Sequence, residues 1–229
     1  MLTAMTIAML TAITIWWLLV RQLRDKPWAR TGVVPTSQEG LTSSAPWVGL
    51  WVFLAVVTSL FGLFASAYMM RLHDAHGELA QWQPLTEPRI LWLNTALLVL
   101  ASGALQIARG RAVAADLKGL RTYFVVGGLL TVAFLGGQIL AWQVLGGTAQ
   151  YGAAHPAFAF FVLLTAVHGA HMLGGLFVLA RAAARVWRGI EPANAVAMGK
   201  LRLSVELCTT YWHWLLLIWL GLFALLLTT

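Results

Sequence analysis

Cysteine is almost absent: Cys208 stands alone among 229 residues, so the chain can form no internal disulfide and its redox compartment cannot be read from thiols. Charge is scarce too. Eight acidic and fifteen basic side chains make up only 10% of the sequence, against roughly 25% in soluble domains. A soluble fold with so little charge could not cover its surface, which leaves the bilayer as solvent for much of the chain. The shortage of acids leaves a net charge of +7. A basic balance raises the question of nucleic acid, but the Lys and Arg residues lie in short stretches between apolar runs rather than on one face, which excludes that partner. Internal repeats and low-complexity tracts are missing as well. With no clear sign of broken helices, their absence argues against a secondary transporter.

What the sequence does have is apolar length. Hydrophobic residues make up 60% of it, gathered into six runs at 1–20, 47–70, 90–108, 122–146, 156–180 and 203–227. Each is close to the roughly 20 residues needed to span a hydrocarbon core. The fold class expected is an all-α integral membrane protein with six transmembrane helices and no separate soluble domain. A cleaved signal peptide carries its positive charges before the apolar core. Here Arg21, Arg24, Lys26 and Arg30 follow it, so the first run reads as a membrane helix. Residues 27–46, with Pro27, Gly32, Pro35 and Gly40, read as a linker. The organisation expected is an N-terminal helix and linker over 1–46, then a five-helix bundle over 47–229.

Orientation follows from the cations. Thirteen of the fifteen Lys and Arg residues fall in the connections 21–46, 109–121 and 181–202, which alternate along the chain. The positive-inside rule places those three in the cytoplasm and both termini outside. The twelve Trp residues partly suit interfacial belts. Trp28, Trp47 and Trp82 fit that placement, and the set is not read as a cofactor box. Cys208 lies within an apolar run and reads as a small packing residue.

Polar side chains inside the apolar runs need partners, because an ionisable group in hydrocarbon is expensive. His168 and His171 lie three apart on one face of the fifth run. Glu206, Thr210 and His213 share a stripe of the sixth, at spacings of four and three. The expectation is that the fifth and sixth helices are antiparallel neighbours and that the His pair meets the Glu206 stripe between them. Three roles stay open for this cluster: hydrogen-bonding between helices, a lipid-headgroup or proton-linked role, and ligation of a metal or haem. Gly128 and Gly136 on the fourth run, and Gly169, Gly174 and Gly175 on the fifth, are expected to mark close helix contacts.

Longer strings within these runs resemble a known family. His168-Gly-Ala-His171-Met-Leu-Gly174-Gly175, preceded by Phe160, Phe161, Leu164 and Thr165, is one. Another is Glu206-Leu-Cys-Thr-Thr-Tyr211-Trp212-His213-Trp214, followed by Trp219. Shorter matches are Leu93-Asn94-Thr95, then Phe134 with Gln138 and Trp142, and Phe53-Leu54 with Phe61. Taken in chain order, they run collinear from about 47 to 229 and are similar to subunit III of the haem-copper terminal oxidases, in a divergent bacterial-type form.

That resemblance implies a non-catalytic bundle that supports assembly, binds phospholipid and stabilises a large haem-copper subunit. A copper-bearing or quinol-type subunit II would be a further partner. It implies residence in a bacterial inner membrane and oxidation of cytochrome c or quinol by the whole complex. It implies haem and copper in the partners, with no catalytic, cofactor-binding or metal-ligating residue in this chain. Asn94, Thr95, Gln138, Tyr211, Trp212 and Trp219 would be the motif residues. The family's usual carboxylates are replaced at Val57, Ala141 and Leu216, which puts a proton-collecting role in doubt. Two other functions remain in view: an accessory of nitric oxide reductase and, from another class, a haem-bearing electron carrier using His168, His171 or His213.

Overall fold

The computed structural model describes residues 44–77, 89–147, 156–188 and 195–227, all within one unit spanning residues 43–229. They form five helices: α1 (Ser44–Gly77), α2 (Arg89–Val113), α3 (Leu117–Gly146), α4 (Pro156–Trp187) and α5 (Ala195–Leu227). Each is long and apolar enough to cross a membrane. The sixth span expected, over residues 1–20, lies outside the described residues, as do Trp28 and Trp82.

The helices overrun the apolar runs at their charged ends. The expected connection 109–121 shrinks to Ala114, Ala115 and Asp116, and the connection 181–202 is helical to Trp187 and again from Ala195. Charged side chains carry this extension by closing helix ends. Asp116 caps α3, its carboxylate accepting from the Gly119 N–H at 3.0 Å. Arg121 donates to the Val186 carbonyl at 2.8 Å, and Arg202 donates to the Ala112 carbonyl at 3.2 Å. Each arginine thus serves the carbonyl end of a neighbouring helix, which its own helix cannot satisfy. These two bonds also bring the α2–α3 and α4–α5 connections to one end of the bundle. α4 opens on Pro156, in the first turn, where a missing N–H costs nothing.

α2, α3, α4 and α5 pack in a ring, each against the next and α5 back against α2. α1 leans on the outside of the α4–α5 seam and is the most exposed of the five. The interior of the ring is aromatic. Trp212 and Trp219 of α5, two turns apart, are fully buried beside Phe134 of α3 and Phe161 of α4. Phe134 meets Trp219 edge-on, with ring centroids 4.9 Å apart at 89°, an arrangement the ring quadrupoles favour. Val57 and Ala141, two positions where the resemblance led a carboxylate to be expected, are buried apolar side chains, and Leu216, the third, is half-buried.

Of the five glycines expected at contacts, Gly175 is the tight one. A Cβ there would lie 2.6 Å from Tyr211 Cε1 and 3.0 Å from Trp212, so α4 and α5 can approach only because the side chain is missing. A Cβ on Gly136 or Gly174 would meet nothing within 4 Å, and one on Gly128 or Gly169 would make ordinary contact. Close approaches between helices that the sequence did not single out include Gly127, against Leu105, Gly137, against the Asn94 carboxamide, and Gly146, against Phe158.

Candidate functional site

The polar side chains separate into two sets, and the cluster expected between the fifth and sixth runs is divided between them. Glu206 pairs with Arg109 of α2, and not with either histidine of α4. His213 also turns to α2. Its Nδ1 bonds the Ser102 hydroxyl and its Nε2 bonds Gln106 Oε1 at 3.1 Å. Thr210 lies half-buried on the same stripe. The position of α5 decides this, since it touches α1, α2 and α4 at once. A stripe on its surface can serve only one of those neighbours, and Glu206 and His213 serve α2.

The α4 histidines face the other way. His168 is fully buried among Phe61 of α1, Phe134 of α3 and Trp219 of α5, at centroid distances of 6.2, 5.8 and 5.3 Å. Neither of its ring nitrogens has a hydrogen-bond partner among the described residues. His171 is half-buried, with Nδ1 2.8 Å from the Val167 carbonyl of its own helix and its ring 5.6 Å from that of Phe61. The two histidines do share a face, as their spacing requires, and Phe61 touches both.

The motif residues form the second set, between the helices. Four indoles each donate to a threonine hydroxyl on another helix: Trp142 to Thr165 at 2.9 Å, Trp212 to Thr131 at 3.2 Å, Trp214 to Thr58 at 2.9 Å and Trp219 to Thr95 at 3.0 Å. Every one of those hydroxyls donates in turn to the carbonyl four residues before it. An indole has one donor, and a hydroxyl can donate and accept, so each pair is satisfied without water. Asn94 Nδ2 reaches Gln138 Oε1 at 3.4 Å, both residues buried. Tyr211 donates to the His171 carbonyl at 2.9 Å, which fixes α4 and α5 at a common level.

Beside that bond lies an apolar cavity of about 520 Å³ between α1, α4 and α5, lined by Leu50, Phe53, His171, Gly174, Cys208 and Tyr211 among others. Among the described residues, no group of three or more His, Cys, Asp and Glu side chains is placed to hold a metal ion.

The partners on α2 were missed in the sequence, although a signal was available. Ser102, Gln106 and Arg109 are spaced by four and three, the same stripe spacing as Glu206, Thr210 and His213. Arg109 opens the 109–121 connection, where a cation has an orientation role of its own that hides its place on the stripe. Thr58 and Thr131 gave no signal of their own, since a threonine that bonds its own helix is common in any apolar helix.

A bundle whose polar groups bond mainly across helix pairs defines a class: a multi-pass helical membrane protein. No protein-family model matches the chain. It is 30% identical over 183 residues to cytochrome c oxidase subunit 3 of Thermostichus vulcanus, covering 78% of this chain and 85% of that protein. It is 32% identical over 187 residues to probable cytochrome c oxidase subunit 3 of Nocardia farcinica, covering 77% and 84%. It is 28% identical over 194 residues to quinol oxidase subunit 3 of Bacillus subtilis, covering 82% and 89%. The chain belongs to the subunit III family of the cytochrome c and quinol oxidases.

Proposed function

We propose that the chain is a non-catalytic subunit III of a respiratory haem-copper oxidase, and that it supports assembly, lipid binding and stability of the catalytic subunit. The observation that carries this reading is the set of indole–hydroxyl pairs. Side chains that could do chemistry in an open site are here engaged with one another across helix pairs. His213 has both ring nitrogens engaged, and His168 is closed in by three aromatic rings. This weighs against their use as haem ligands. The partners of this reading are a large haem-copper subunit and a copper-bearing or quinol-type subunit II, which hold the haem and copper. Related proteins of both the cytochrome c and the quinol type support an oxidase without choosing the electron donor.

The apolar cavity beside Tyr211 suits an acyl chain, which supports bound phospholipid. Arg121 and Arg202 tie two cation-rich connections to one end of the bundle. With the positive-inside rule, that end is cytoplasmic, and both termini are periplasmic in a bacterial inner membrane.

Affinity purification of the tagged chain from membranes, followed by haem analysis of what accompanies it, tests the reading. A large haem-copper polypeptide that reduces oxygen is expected. Recovery with a nitric oxide reductase instead would move the chain to the accessory role.

A further inference from the structure

The outer groove between α2 and α5 carries a ladder of polar side chains that lipid cannot serve. Ser102 and Gln106 of α2 hold His213 of α5, and Arg109 holds Glu206. Ser102 is buried, but Gln106 is exposed and His213 is only half-buried. The Arg109 and Glu206 side chains are 43% and 35% exposed. Gln106 Oε1 is taken by His213, and no described residue takes the two amide N–H groups of Gln106.

Depth makes this exposure costly. The Arg202 bond to the Ala112 carbonyl sets the level of the charged end. His213 lies eleven residues further along α5, about 16 Å at 1.5 Å per residue. That is near the middle of a hydrocarbon layer about 30 Å thick. Lipid headgroups can reach Arg109, close to the end of α2, but acyl chains offer no acceptor at the level of Gln106 and His213. Elsewhere the bundle is built for lipid: Leu129 and Val132 of α3 and Phe177 and Val178 of α4 are exposed and apolar. Gly103 and Gly110, three and four residues from Gln106, are open, since a Cβ on either would meet nothing within 4 Å. Another backbone can therefore come close to Gln106.

We propose that this groove is the seat of a transmembrane helix from a different subunit, one that presents hydrogen-bond acceptors (a hydroxyl, carboxamide or carboxylate) to Gln106 and Arg109. The inference rests on the reading of the chain as a subunit of a larger assembly and names the face through which it is held. The donors on offer, a free carboxamide and a guanidinium only partly used by Glu206, set the chemistry of the incoming helix. The groove is the place where a partner gains hydrogen bonds unavailable in lipid.

The test is photo-crosslinking in native membranes that contain the whole complex. A p-benzoylphenylalanine replaces Ile107, exposed beside Gln106, and in a second strain it replaces Leu129 on α3. Position 107 is expected to give an adduct with a polypeptide of different sequence, and position 129 adducts with lipid. Lipid adducts alone at position 107, or an adduct between two copies of this chain, would overturn the proposal. A second variant, Gln106→Leu, is expected to lower retention of the chain through detergent washing on the order of threefold to tenfold, and unchanged retention would contradict the assignment. The two readings fail separately. A heterologous adduct at position 107 without any haem subunit in the complex removes the oxidase reading and leaves the groove. A haem subunit that co-purifies while position 107 meets only lipid does the reverse.

Discussion

Trp219 on α5 donates its indole N–H to the Thr95 hydroxyl on α2 at 3.0 Å, and that hydroxyl donates to the Leu91 carbonyl at 2.8 Å. Removing the acceptor strands a donor in a dry interior, which costs more than removing both partners. Thr95→Val should therefore destabilise the detergent-solubilised protein by about 1–3 kcal/mol, and Thr95→Ser, which keeps the hydroxyl, by less. A double-mutant cycle with Trp219→Phe should give a coupling of about 0.6–1.7 kcal/mol. Unfolding titrations of the four proteins measure it, and a coupling near zero would mean the indole N–H finds another acceptor.

Gly175 decides how closely α4 and α5 approach. In Gly175→Ala the new methyl meets Tyr211 and Trp212, and both rings are held by other bonds. A loss of about 1–3 kcal/mol is expected from such overpacking. Gly174→Ala, one residue away and facing the cavity, should stay within about 0.5 kcal/mol. Thermal unfolding of the two variants side by side reads the difference.

Arg109 and Glu206 form an ion pair between α2 and α5. Glu206→Leu leaves the guanidinium without its carboxylate, and Arg109→Leu leaves the carboxylate without its cation. Each single variant should weaken retention in the complex more than the double variant does, since the double removes both charges. Quantifying the chain that survives graded detergent washing gives the order. Additive losses would mean the two residues act apart.

Ala115, in the α2–α3 turn, has φ of 59°. A left-handed conformation costs a side chain about 1–2 kcal/mol, and glycine avoids that at an entropic penalty of its own. Ala115→Gly should raise stability by a few tenths to about 1 kcal/mol. Lowered stability would show that the alanine methyl makes a contact worth more than the strain.

The helices themselves were legible in the sequence because hydrocarbon imposes a length, and five of the apolar runs match α1 to α5 with their charged ends extended. The ends were less legible. Arg121 and Arg202 close helices far from them in sequence, and a contact of that kind leaves no local pattern. The motif residues pointed to the right family, and Trp142, Trp212, Trp214 and Trp219 each turned out to donate to a hydroxyl on another helix. The polar cluster was half legible. Spacing put Glu206 and His213 on one stripe, as found, but spacing alone does not say which neighbouring helix a stripe meets. The assumption that sequence neighbours pair sent them to α4, whereas the ring closes α5 onto α2.

Haem content per polypeptide tests the central claim most directly. After the complex is purified, the chain is separated from its partners under mild conditions and the visible spectrum of each fraction is recorded. The account predicts that all the haem stays with a large partner polypeptide and that this chain is colourless. A Soret band that remains with the isolated chain through repeated washing would contradict it.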